Sequence, residues 1–189
     1  VSRDWSSDVC SSDLAASGEL GAIQSLAPFI SSWRAAGGGA IILDGVQRAS
    51  SGSIRMNIGI DHLVIGSAKL EGPVGVAALV SATDRKLVSL VPGGGQERGR
   101  RGGTEAVVLA DAFALALRLS RIEEAGTAAH AANLGGAFDH ALGAPEQHGL
   151  RTTGPRDSTA RLPGHRSYAA DWVLGDDLVA ALDHEGIAV

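Results

Sequence analysis

Two short apolar runs constrain the fold of this 189-residue chain more than anything else in it: Ala40–Leu43 (AIIL) and His62–Ile65 (HLVI). Each is too short for a helix. Each is continuous rather than alternating, which is the pattern of a strand covered on both faces. A third run, Gly75–Ser81, follows closely. The first run ends at Asp44, and the second runs into Gly66–Pro73 (GSAKLEGP), which carries Lys69. Twenty-five positions separate Asp44 from Lys69, long enough for a crossover between parallel strands. The expected class is therefore α/β.

Helical patterns flank these runs. Glu19–Ala36 repeats apolar residues at Leu20, Ile23, Leu26, Ile30 and Trp33. Pro28 belongs in its first turn, with Gln24 or Ser25 near the cap and Gly37–Gly39 as the stop. Pro92–Gly103 is a loop rich in glycine and arginine. A long helix is predicted from about Thr104 to Ala125, then a second from about 127 to 142. Residues 143–164 are weakly patterned. A strand is predicted over His165–Trp172, a helix over Gly175–Glu185, and a strand entered at Ile187–Val189. That last strand is read as cut short.

Val1–Leu14 (VSRDWSSDVCSSDL) has no amphipathic period and twice repeats Ser-Ser-Asp, so it is set aside as a foreign or disordered tail. The rest divides into 15–126 and 127–189, the second part reading as a smaller α+β domain. Cys10 is the only cysteine, which excludes an internal disulfide, and nothing near it would lower its pKa. The net charge of −5 argues against a nucleic-acid binder. No apolar stretch approaches a membrane span, so a cytoplasmic protein without membrane association is expected. The histidines show no metal-ligand spacing, and no metal site is expected. Glycine, at 26 residues, is about twice its usual share of ~7%. With so many apolar residues retained, this points to tight turns rather than disorder.

Lys69 is one of two lysines. At the end of a strand predicted to be buried, its ammonium would be costly to desolvate unless used. One use is as a nucleophilic amine toward a carbonyl. If the two strands are parallel neighbours, Asp44 and Lys69 project from the same sheet edge, where open α/β sheets bind ligands. A carboxylate and an amine converging there suit pyridoxal phosphate: the amine holds the aldehyde and the carboxylate keeps the pyridine nitrogen protonated. Gln47, one turn past Asp44, is placed to reach the ring's phenolic oxygen. Taken singly, Asp44 reads as a capping carboxylate, Lys69 as a surface lysine and Gln47 as a polar loop residue; it is their combination that points to a site.

The segments together resemble the cysteine desulfurases of the class V aminotransferase group. The matching stretches are Gly18–Gln24, Leu43–Gln47, Ser67–Pro73 and, most specifically, Gly93–Glu105 (GGGQERGRRGGTE). The resemblance implies a fold type I pyridoxal-phosphate transferase. This chain would supply the central part of its large domain, a mostly parallel sheet with helices on both faces, and part of its small domain. It implies that Lys69 holds the cofactor, Asp44 pairs with the ring nitrogen, Gln47 bonds the phenolic oxygen, and Thr104 reaches the cofactor phosphate of the neighbouring subunit in a homodimer. It implies L-cysteine as substrate, L-alanine as product, a sulfur-acceptor protein as partner and a role in iron–sulfur cluster assembly. The sulfur-carrying cysteine of that family has no counterpart here, so the chain by itself is expected to be inactive.

The likeness departs from the family in two places. The family's Ser-Ala-His-Lys reads Gly66-Ser67-Ala68-Lys69, removing two phosphate-gripping positions that Ser67 would have to replace. The family's Asn-Asn-Glu reads Ser17-Gly18-Glu19. These losses keep open a non-catalytic homologue acting as a dimerisation or scaffold partner. A class V lyase or transaminase using the same lysine is a further alternative.

Overall fold

A computed structural model describes residues 11–52, 54–82 and 87–189. Cys10 and the stretch before it lie outside these. Among the described residues the chain forms two compact units, one built from 11–15 with Gln24–Glu124, the other from Ala16–Ile23 with Ala125–Val189.

The first unit is organised on a four-stranded sheet of order β1-β2-β3-β4: β1 Ser11–Leu14, β2 Ile41–Asp44, β3 His62–Gly66 and β4 Ala77–Ser81. β1, β2 and β3 run parallel, and β4 is antiparallel to β3. The last four residues of the stretch set aside as foreign thus form the edge strand beside β2. The sheet comes from backbone pairing, which needs no side-chain pattern of the kind sought there.

Burial alternates along β2: Ile41 and Leu43 are buried, Ile42 and Asp44 half-buried. Leu43 pairs with Leu63, and these join Ile41 and Ile65 in one apolar cluster. Helix α1 (Leu26–Ala35) adds Ile30, with Ser25 at its N-cap, and the long helix α4 (Val107–Leu142) adds Phe113 and Ala116. Each fully buried Leu, Ile or Phe contributes about 1.5–3 kcal/mol, and this cluster is where the unit's stability concentrates.

The amino ends of β2 and β3 are tied by a half-buried clamp. Arg34, at the end of α1, donates to the carbonyls of Gly39 (2.7 Å) and Gly59 (2.8 Å) and pairs with Asp61. Asp61 also accepts the Ile41 amide at 2.7 Å. The clamp fixes where both strands begin.

α4 is one helix of 36 residues, not the two that the sequence pattern predicts around Gly126. Nothing lies within 4 Å of a Cβ built on Gly126. An isolated glycine costs a helix about 1 kcal/mol but does not end it.

In the second unit, β5 (Leu150–Thr152) pairs antiparallel with β6 (Tyr168–Ala170). β5 falls inside the weakly patterned stretch. Gly21 accepts from the Leu162 amide (2.8 Å), and the Ile23 amide donates to Ala160 (2.8 Å). Gly21 has φ +66°, and a Cβ there would lie 2.4 Å from the His165 ring. Arg166 forks onto Asp139 at 2.6 and 2.5 Å. Its guanidinium lies over Gly135 in α4, where a Cβ would come within 2.8 Å of it. Helix α5 (Gly175–His184) closes when the Ile187 amide returns to the Leu182 carbonyl at 2.8 Å, with Gly186 at φ +77°. Ile187–Val189 carries no strand pairing in the structure, unlike the sequence expectation.

Candidate active site

Because β2 and β3 are parallel neighbours, with Asp44 in register with Val64, their carboxyl ends share one sheet edge. Asp44 is the last residue of β2. Lys69 lies three residues beyond the end of β3, in the short 3-10 turn Ser67–Leu70. The structure therefore brings the carboxylate and the amine to the same edge of the first unit, at the place where open α/β sheets bind ligands.

Asp44 is held by its neighbours on both sides. Its carbonyl accepts the Ala15 amide at 2.8 Å, and the next amide, of Gly45, donates to Val64 at 2.9 Å. Its Oδ1 accepts the Val46 amide at 2.9 Å, which fixes the carboxylate's orientation at the start of α2 (Val46–Ala49). Gly45 permits close packing here. A Cβ on it would meet the Ile54 and Leu63 methyls at 2.5 and 2.6 Å and the Val64 carbonyl at 3.2 Å. Gln47 is half-buried in α2.

The lysine turn is anchored from within. Leu70 is buried in the core cluster, and Ser67 is completely buried. The Ser67 amide donates to Val76 (3.2 Å), and its carbonyl accepts from Gly72 (3.1 Å) and from Glu71, which takes a left-handed conformation at φ 59°. Ala68 and Lys69 face solvent. The ammonium is thus exposed, and the desolvation expected from sequence does not apply. β3 ends at Gly66, and the turn carries Lys69 out of the buried layer.

The Ser67 hydroxyl points the other way. A Cβ built on Gly72 would lie 2.2 Å from Ser67 Oγ and 2.9 Å from Ala116 of α4, so this hydroxyl packs inward beneath the turn. It has no hydrogen-bond partner there.

Thr104 is exposed, in the segment between the turn α3 (Gln96–Gly99) and α4. That turn places two consecutive non-glycine residues, Glu97 and Arg98, at positive φ (49° and 56°), a costly geometry for L-residues. Gln96 Oε1 is buried there without a partner. No group of three or more potential metal ligands occurs among the described residues.

Sequence reasoning located Asp44, Gln47 and Lys69 but missed the groups that hold them. The Ala15 and Val46 amides are invisible in a sequence because every residue has one. Gly45 and Gly72 carry a faint signal, as single glycines directly beside a charged residue.

As chemistry, the edge offers an exposed primary amine and an oriented, half-buried carboxylate. That donor set fits a cofactor with an aldehyde for the amine and a basic ring nitrogen for the carboxylate.

The aminotransferase class-V family model matches residues 12–189. Among curated proteins, a cysteine desulfurase IscS of Clostridium botulinum is 33% identical over 135 residues, covering 69% of this chain and 33% of its own length. The mitochondrial cysteine desulfurase of Saccharomyces cerevisiae is 37% identical over 125 residues, covering 65% of this chain and 24% of its own length. Among solved structures, a NifS-like protein superposes with a TM-score of 0.86 at 25% identity, covering 95% of this chain and 48% of that one. The NifS-like protein of Rickettsia africae gives 0.87 at 24%, covering 95% and 49%. The chain therefore spans about a third of the first curated relative's length. Its fold is that of the fold type I pyridoxal-phosphate enzymes, and the chain belongs to the class V aminotransferase family, whose members, cysteine desulfurases among them, depend on that cofactor.

Proposed function

We propose that this chain is part of a pyridoxal-phosphate enzyme of the cysteine desulfurase type, which takes L-cysteine to L-alanine and passes the sulfur to a cysteine of the enzyme. The observation that carries the reading is the pairing of β2 with β3, which sets Asp44 and Lys69 at one sheet edge. Relatives named as cysteine desulfurases support the choice of reaction.

In this reading Lys69 Nζ is the attachment point for the cofactor's aldehyde. Its exposure leaves it open to an incoming carbonyl. Asp44 holds a proton on the ring nitrogen, and the Val46 amide on Oδ1 keeps that carboxylate oriented. Gln47 donates to the ring's phenolic oxygen, and Thr104 serves the cofactor phosphate of a neighbouring subunit in a homodimer. When bound, the cofactor supplies an electron sink for negative charge developing on the amino acid. The acceptor of the sulfur is a second protein, the role is in iron–sulfur cluster assembly, and the location is the cytoplasm. No helix among the described residues is long and apolar enough to cross a membrane.

The test is alanine release from L-cysteine, and sulfide release once a thiol reductant is added to reduce the persulfide, by the complete protein that contains this chain. Both should appear with added cofactor and vanish in Lys69→Ala, while Asp44→Asn should fall by about 10²–10⁴, the usual loss for a group that supports a proton. Unchanged turnover in Lys69→Ala would contradict the assignment.

A further inference from the structure

The second unit holds a cleft of about 310 Å³ lined by Thr152, Arg156, Arg161, Arg166 and Tyr168. That volume is at the small end of the range for ligand sites, about 300–1,000 Å³. Arg166 is committed: it forks onto Asp139 and donates to the His165 carbonyl at 2.8 Å. Arg161 is not. It is half-buried, and its guanidinium has no hydrogen-bond partner among the described residues. Its backbone is extended (φ −130°, ψ 145°) and bridged to Ala22, with the Leu162 amide on the Gly21 carbonyl at 2.8 Å. Successive side chains of an extended chain point to opposite sides, so Leu162 is buried while Arg161 reaches the cleft. Thr152 and Tyr168 are register partners across β5 and β6, which sets them on one face of that ribbon. The Tyr168 ring lies against Phe138, 6.2 Å between centroids. Burial, and then the charge of Asp139, push its phenol above the ordinary value, so it keeps its proton and can donate. Two carboxylates also line the cleft: Asp139, both of whose oxygens Arg166 occupies, and the exposed Glu146. Three guanidiniums against two carboxylates leave the lining positive, on a chain of net charge −5.

We infer that this cleft binds a small phosphate-bearing anion, free phosphate or a small phosphate ester, through the Arg161 guanidinium and the Tyr168 hydroxyl. Arginine's planar fork matches two oxygens of such a group. The phenol donates to a third, and Arg156, which is exposed, adds charge. A carboxylate has only two oxygens, so the fork satisfies it and the phenol goes unused. The Arg161 backbone is already fixed by the Ala22 bridge and Tyr168 by its strand. Little ordering is therefore left to oppose binding. The inference is independent of the reading of Lys69 and uses none of the residues assigned to the cofactor.

The experiment titrates the 189-residue chain by calorimetry with inorganic phosphate, glycerol phosphate and acetate at constant ionic strength. Acetate should bind about tenfold more weakly than phosphate, the worth of the phenol's bond to a charged group. Arg161→Gln should weaken phosphate binding about a hundredfold, and Tyr168→Phe, which keeps the ring on Phe138, about tenfold. Arg118→Gln, at an exposed arginine of α4 that does not line the cleft, should leave binding within about twofold. Circular dichroism of each variant separates lost binding from lost folding. Tighter binding of glycerol phosphate than of phosphate would identify an ester as the ligand, and the reverse would identify the free ion. The inference is overturned by no binding, by acetate binding as tightly as phosphate, or by equal weakening in Arg161→Gln and Arg118→Gln. Phosphate binding that is lost in Lys69→Ala and kept in Arg161→Gln would overturn it too. So would binding by this chain and none by the complete protein that contains it, since the cleft would then be filled by the rest of the polypeptide.

Discussion

The two ends of the parallel strands β2 and β3 solve opposite problems. At the amino end, Arg34 and Asp61 neutralise each other and satisfy the Gly39 and Gly59 carbonyls and the Ile41 amide. At the carboxyl end, Asp44 and Lys69 stand without such a network: the carboxylate takes one backbone amide and the amine is in solvent. The same two strands thus carry a closed polar clamp at one end and open polar groups at the other. A clamp spends its charges on stability, whereas a site must keep them available for something that arrives later.

That contrast breaks first at the clamp. Asp61→Ala should lower unfolding stability by about 3 kcal/mol, because it strands the Arg34 guanidinium and orphans the Ile41 amide. Chemical denaturation would measure it, and a loss below about 0.5 kcal/mol, the surface-pair range, would erase the distinction between the ends. Lys69→Ala at the open end should leave stability within about 0.5 kcal/mol of the parent chain.

Gly72→Ala comes next. The new Cβ would fall 2.2 Å from Ser67 Oγ and 2.9 Å from the Ala116 Cβ, and overpacking of this kind costs about 1–3 kcal/mol. It should also displace the lysine turn, which labelling of Lys69 would read independently of stability.

A smaller effect belongs to the second unit, whose Arg166–Asp139 pair is an exposed counterpart of the clamp. The side-chain hydrogen bond from Arg166 holds the Asp139 carboxyl below its ordinary value of 3.8. A depressed folded value means the contribution is complete above pH 3.8 and is lost as the pH falls through the lower folded value. With the Asp139 side chain 47% exposed, solvent screening keeps that contribution under about 1 kcal/mol. Asp139→Asn should therefore lower the melting temperature slightly at pH 6, and the gap should close below pH 4. A gap that persists undiminished in acid would assign the pair's effect to packing over Gly135 instead.

The smallest effect is at Ser67. Removing a buried hydroxyl without a partner relieves a desolvation penalty, so Ser67→Ala should be neutral or stabilising by up to about 1 kcal/mol. A clear loss of stability would show that the hydroxyl has a partner after all.

The strands were legible as short continuous apolar runs with Asp44 and Lys69 at or just past their ends, but the expected cover on both faces is not met throughout: burial alternates along β2 and β4 is largely exposed. The sequence could not show that Lys69 leaves the buried layer, since that depends on where β3 stops pairing with β4. Nor could it show which way Ser67 turns, because a serine beside a glycine fits either side of a turn. β1 escaped notice because Ser11–Leu14 is a strand by virtue of β2 beside it, not by its own composition. Gly126 misled by looking like punctuation, whereas an isolated glycine does not by itself end a helix. In the second unit the Arg166–Asp139 pair joins residues 27 apart in sequence, a separation at which no local pattern speaks.

The most direct test of the central claim is a visible absorption titration of the protein with pyridoxal phosphate. The account predicts a band at the violet edge of the visible that saturates at one cofactor per chain and is lost in Lys69→Ala. A band of the same strength in Lys69→Ala, or none in the parent chain, would contradict it.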